Sequence, residues 1–299
     1  MIEITAQQLS LMPSALIDLH RDTGSFFDRS GVNPVKGSLA DVELRASDLR
    51  PYPEFAYSQG QLLVEAAADH LVALTRVIIE PIQTIAPWTL LRGILESSAL
   101  GVWLLEPCIG ARERAGRSAG FRFEGMKHHA TFVRVVGTES EHARVTDRIE
   151  HIVKEARLLG LSEIRDRKQR LIGIGHSVPS ATDLVSRLLK EEGSFRLLSA
   201  MAHAHPWAQQ QLGFRQVASD VVDPIRSDSG LQKHLAPESF VFLCHWAARG
   251  FSKVIWKRCE LFGWHSAELR DIIAESFGVL GLADERLPWK EDVSAAPAG

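Results

Sequence analysis

The sequence predicts an all-α protein, a multi-helix bundle packed around one buried central helix at about 87–106. Three observations carry that expectation. The run WTLLRGILESSALGVWLL at 88–105 is apolar on nearly every side, as suits a helix covered all round. Most of the remaining chain repeats its apolar residues at helical spacing between Pro and Gly interruptions. No segment carries the alternation of a half-buried strand.

Proline is favoured in the first turn of a helix, so a short helix is expected from Pro13 to about Asp22. From Thr23 to Glu54 the chain reads as a long irregular arm or lid, with Phe26 and Phe27 to pack it down. A second helix is expected from about Ser58 to Glu80, its apolar face formed by Leu62, Leu63, Ala66, Leu71, Leu74, Val77 and Ile78, with Pro81 closing it. Pro87 opens the central helix, which ends before Pro107. A helix from about Ala111 to Val136 stops at Gly137, and the next starts with Thr138 and Glu141 spaced as a capping box and runs to Gly160.

After Pro179, SATDLVSRLLKEE reads as an amphipathic helix, followed by FRLLSAMAHAH, which Pro206 interrupts. Residues 213–235 read as a polar loop. Pro237 opens a long apolar helix that ends at Gly263, and a last helix covers about Ala267 to Val279. The organisation expected is an N-terminal helix and arm over 1–54, a helical bundle over 55–282 with a subdomain break at 160–179, and a disordered tail over 283–299.

With 45% hydrophobic and 24% charged residues the composition is that of a soluble globular protein. A formal net charge of −3 gives no global attraction to nucleic acid or an anionic membrane. Cys108, Cys244 and Cys259 make neither a disulfide framework nor a CxxC pair, so a reducing cytoplasm is expected. The N-terminus lacks a secretory signal, and Arg92 and Glu96 argue against a membrane span at 88–105. P-loop, GxGxxG and GxSxG fingerprints are absent, and the single ExxH at Glu139 and His142 lacks the second element and the carboxylates that a di-iron bundle needs. No cofactor or metal is expected.

Two sets of residues could carry chemistry. The first is internal. Arg92 and Glu96 stand at i and i+4 on the central helix, Ser199 and His203 do the same on the helix before Pro206, and His70 lies on the second helix. Ionised groups inside an apolar helix need partners, so this supporting cluster is either a structural clasp or part of an active site. Arg196 with His203 also fits a loose arginine-to-histidine spacing in which arginine stabilises phosphate charge and histidine moves a proton. Arg122 with His128, Arg144 with His151, Arg170 with His176 and Arg258 with His265 share that spacing, but only Arg196 sits on an apolar helix beside a second aligned polar residue. The second set is basic: Arg114 and Arg117 share a helical face and could bind phosphate with the cluster at 165–170. A solvated face laced with ion pairs is the alternative, favoured by the acidic residues among them.

The stretches ADHLVAL, LLRGILESSALGVWLLEP with RERAGR, and VPSATDLVSRLL leading into FRLLSAMAHAHPW span about Ala68 to Trp207. Through them the chain resembles a broad group of uncharacterised actinobacterial helical proteins that are distantly similar to the HEPN superfamily. That resemblance implies an all-α bundle, frequent homodimers and, in some members, metal-independent RNA cleavage in toxin–antitoxin or phage-defence systems, carried here by Arg196 and His203. Leu197 follows the arginine where the catalytic pattern has a polar residue, so an inactive domain serving as a binding or interaction scaffold fits equally well. The partners expected are a second copy of the chain, RNA or another protein, with no membrane.

Overall fold

The computed structural model describes residues 6–79, 82–190, 192–212, 214–216, 231–233, 235–282 and 286–291. They form an all-α bundle with two short β-ribbons. None of the described helices is long and apolar enough to cross a membrane.

Helix α1 spans Ala6–Ser30 and has Pro13 inside it, so the expected short helix is corrected at both ends. Met12, Leu16, Leu19, Thr23 and Phe26 recur every three or four residues and are all buried. Burial of that continuous stripe outweighs the one hydrogen bond that Pro13 cannot donate. The rest of the expected arm also contains regular structure. Ser38 caps α2 (Leu39–Arg45) by accepting from Asp41 N at 3.3 Å, and a single 3-10 turn follows at Ser47–Leu49. Phe26 does pack into the core.

Helix α3 (Tyr52–Val77) begins before the expected Ser58. Its buried face is Gly60, Val64, Ala67, Leu71 and Leu74, which leaves Leu62 pointing into solvent. The central helix α4 (Ala86–Leu105) forms as expected. It is packed by α3, by α8 (Glu192–Ala202) and by α10 (Pro237–Phe262), whose own C-cap is Gly263 at φ 68°. Helix α11 (Ser266–Leu280) closes the bundle against α1.

Helices α5 (Ala111–Val136) and α6 (Glu139–Leu158) form an αα-hairpin with its own small core of Ala115, Ala119, Phe123, Ile152 and Ala156. Thr138 and Glu141 make the expected capping box. The region of the expected subdomain break holds a ribbon of β1 (Glu163–Arg165) and β2 (Leu171–Ile174), antiparallel. These strands are too short for alternation to stand out in the sequence. Their backbone reaches α5 at a small-residue face, where His176 N donates to Gly116 O at 3.1 Å.

Beyond Pro179, Ser180 caps α7 (Ala181–Leu184), which widens into a π turn over Val185–Leu189. Pro206 starts α9 (Pro206–Leu212). The expected polar loop contains β3 (Phe214–Gln216) and β4 (Leu231–Lys233), which pair antiparallel. Its remainder at 217–230 lies outside the described residues, as do 283–285 and 292–299 of the expected tail, whose described part contains a short helix, α12 (Pro288–Glu291).

Candidate functional site

Arg92 and Glu96 do meet, with Nη2 3.4 Å from Oε2, and Arg92 Nε donates to Ser199 Oγ at 3.3 Å. The guanidinium also lies over the Phe195 ring of α8, 5.6 Å from its centroid. The expected polar cluster therefore joins α4 to α8, but it is not sealed in the core. The Arg92 and Glu96 side chains keep 30% and 34% of their exposure, because the stripe of α4 that carries them is the one its neighbours leave half open. His70 packs its ring on Gly93, where a Cβ would come 2.6 Å from the ring.

Arg196 is exposed and paired with Glu192 at 2.8 Å, one turn earlier on α8. His203 is exposed just past the end of that helix. Helix α8 ends through Ala204 at φ 55°, with His205 N donating to Ala200 O at 2.9 Å. This left-handed cap turns the two imidazoles toward each other, so the His203 and His205 rings lie edge to face with centroids 6.4 Å apart.

The expected phosphate-binding arginines are committed elsewhere. Arg114 has no exposure, and its guanidinium donates to Glu43 Oε2 at 2.7 Å, Leu104 O at 2.6 Å and Glu106 O at 3.0 Å. Arg117, on the same face as expected, donates to Trp103 O at 2.5 Å and pairs with Glu113. The anion these two arginines meet is the negative C-terminal end of α4, whose last carbonyls lack helical donors. Arg165 pairs with Glu163 and Arg170 with Asp166, so ion pairing, the alternative weighed for this surface, accounts for much of the stripe. Among the described residues no group of three or more His, Cys, Asp or Glu could hold a metal ion.

A different residue stands out by contrast. Arg258 of α10 is 8% exposed and sits among three aromatic rings, with Phe27, Phe262 and Trp264 centroids at 5.0, 5.5 and 4.9 Å. Among the described residues it makes no ion pair within 4.0 Å and no hydrogen bond. Its nitrogens are not among the sealed, unpartnered polar atoms, and its side chain lines a cavity. Burial pushes its pKa down to about 10, opposed by the charge of Glu65.

The cavity has a volume of about 380 Å³ and lies between α1, α3 and α10. Helix α1 contributes His20, Thr23, Phe27 and Asp28; α3 contributes Gln61, Val64, Glu65 and Ala68; Phe251 joins Arg258 from α10. The segment after α1 is held against the end of α10 by Val35 N donating to Phe262 O at 2.9 Å and Trp264 Nε1 donating to Asn33 O at 3.1 Å. That attachment puts Gly31 and Val32 in the cavity wall.

Sequence reasoning passed over Arg258 except as one of several chance arginine–histidine spacings. A signal was present: an arginine inside the apolar helix 237–262 bracketed by Trp256, Phe262 and Trp264. A volume of this size and a small number of convergent polar groups are features of a small-molecule pocket. No family model, curated protein or solved structure matches this chain, so the functional reading rests on the chain's own geometry.

Proposed function

We propose that this chain is a non-catalytic helical binding protein that takes a small molecule in the cavity over Arg258. One observation carries the reading: a guanidinium nine-tenths buried, ringed by aromatic carbon, that faces open volume instead of an acceptor. Burying a charge without a partner is costly. The same fold surrounds its structural arginine, Arg114, with a carboxylate and two carbonyls. A cation left without such acceptors at the wall of a cavity is suited to a partner that arrives from outside.

The test is the Tm of wild type and of Arg258→Met across a panel of small carboxylates, phosphates, amines and amino acids. A ligand that binds the native state raises Tm. Stabilisation of wild type alone supports the reading, and a panel that stabilises neither protein, or both equally, counts against it.

A second reading, metal-independent RNA cleavage of the HEPN type by Arg196 and His203, has one observation in its favour. The left-handed cap at Ala204, just past the helix that carries Arg196, brings two exposed imidazoles together, and a histidine pair can supply the acid and the base for one phosphodiester. Total RNA incubated in EDTA with wild type, His203→Ala and His205→Ala decides it. Cleavage by wild type that the substitutions abolish supports an endoribonuclease of a toxin–antitoxin or phage-defence kind, working as a homodimer or alone. RNA left intact by wild type retires it.

A further inference from the structure

The charges around the Arg258 cavity are sorted by depth. Arg258, Phe251, Val64 and Thr23 are buried and form its floor, whereas Asp28 and Glu65 are exposed at its rim and His20 is half-buried in the wall. Thr23 spends its hydroxyl proton on the α1 backbone, donating to Leu19 O at 2.7 Å. Among the described residues neither Asp28 nor Glu65 has a cationic group within 4.0 Å and Arg258 has no anionic one, although the charge of Glu65 reaches Arg258 from farther off. Gln61 Nε2 donates to Glu65 Oε1 and fixes that carboxylate on the wall. The cavity thus offers one positive group deep inside, two negative groups at the mouth, and apolar surface from Phe27, Phe251, Val64 and Ala68 between them.

We infer that the ligand of this cavity is a zwitterion of the α-amino-acid type with an apolar side chain, its carboxylate on Arg258 and its ammonium beneath Asp28 and Glu65. The inference rests on the reading that the cavity is a ligand site and adds the chemistry of what fills it. A guanidinium presents a planar fork that matches a carboxylate in two parallel hydrogen bonds. A phosphate would satisfy the same fork but would bring more negative charge past two rim carboxylates, and like charges in juxtaposition are disfavoured. A simple amine would suit the rim and leave Arg258 unpaired. A molecule with both charges meets both ends. The volume of about 380 Å³ lies at the small end of ligand pockets, which suits a single amino acid with its side chain against Phe27 and Phe251.

The test is calorimetric titration of the full chain with L-phenylalanine and L-leucine, and with three probes that each lack one feature: phenylpropionate without the ammonium, phenethylamine without the carboxylate, and inorganic phosphate. The amino acids are expected to bind at least about tenfold more tightly than any of the three. Arg258→Gln is expected to abolish binding. Glu65→Gln, an exposed change that leaves the core untouched, is expected to weaken L-phenylalanine about tenfold and to leave phenylpropionate unaffected or slightly improved. Circular dichroism checks the fold of each variant, and if Arg258→Gln does not fold, the Glu65→Gln comparison carries the test. Phenylpropionate or phosphate binding as tightly as L-phenylalanine, in an Arg258-dependent way, overturns the zwitterion and leaves the cavity as a ligand site. Failure of both amino acids at roughly millimolar concentration overturns the inference, and the wider Tm panel then decides whether the site itself stands.

Discussion

Arg114 and Glu43 form a buried ion pair, with Nε 2.7 Å from Oε2 and side-chain exposures of 0% and 8%. Tyr57 donates its hydroxyl to the same Glu43 oxygen at 2.5 Å, and the remaining Arg114 donors go to carbonyls at the end of α4. One cluster therefore ties together α2, α3, α4 and α5.

Removing one partner of such a pair strands the other without solvent. Arg114→Met and Glu43→Gln are each expected to cost about 3–5 kcal/mol, read from urea denaturation midpoints. The double substitution is expected to cost less than the sum, because the two side chains share one network.

The Arg92–Glu96 pair is expected to behave differently. It is about one-third exposed on each side, and half-open pairs at i and i+4 contribute little. Glu96→Gln is expected to change stability by about 0–1 kcal/mol in the same denaturation experiment, a shift that shrinks further in high salt. A loss as large as that of Arg114→Met would mean that Arg92 is the true clasp.

Alkaline stability follows from groups that folding keeps protonated. Burial pushes the Tyr52 hydroxyl from 10.0 up to about 12 and the Cys244 and Cys259 thiols from 9.0 up to about 12. Burial, with Glu43 beside it, raises Tyr57 as well. Because the folded values lie above the unfolded ones, this contribution is complete below the unfolded pKa and is drained as pH rises toward the folded pKa. Denaturation midpoints are expected to fall from about pH 9 upward, and Tyr57→Phe is expected to flatten that fall. Midpoints that stay level across the range would contradict the assignment.

Gly120 is the point where the ribbon's backbone comes closest to α5, since a Cβ there would collide with the carbonyl oxygen of His176. Backbone cannot move aside as a flexible side chain can. Gly120→Ala is expected to destabilise by about 1–3 kcal/mol and to loosen the ribbon locally, seen as faster amide exchange at β1 and β2 than in the main bundle.

The parts of this architecture that the sequence reveals are those marked at their ends. Gly137 with the Thr138–Glu141 capping box, and Pro237 with Gly263, place α5, α6 and α10 within a residue or two. Helix α1 is misread because Pro13 resembles a start signal, and only the partners that bury Met12, Leu16 and Phe26 reveal that the helix runs through it. Arg92 does meet Glu96 and Ser199, but the burial expected of Arg92 and the exposure expected of Arg114 are both corrected, for a related reason. An apolar neighbourhood tells that Arg92 lies on a core helix, but not that its stripe is left half open, and a basic neighbourhood hides that Arg114 points inward. The Arg258 cavity is assembled from three helices far apart in the chain, so its geometry exists only once tertiary packing has formed.

The most direct measurement is the NMR signal of the Arg258 Nε–Hε group in wild-type protein, assigned by its loss in Arg258→Met and followed as the small-molecule panel is added. A ligand-binding cavity predicts that at least one carboxylate-bearing compound shifts that signal saturably and slows its exchange with water. If every compound leaves it in place, or the compounds that bind do so with the Arg258 signal unmoved, the cavity over Arg258 is not the binding site.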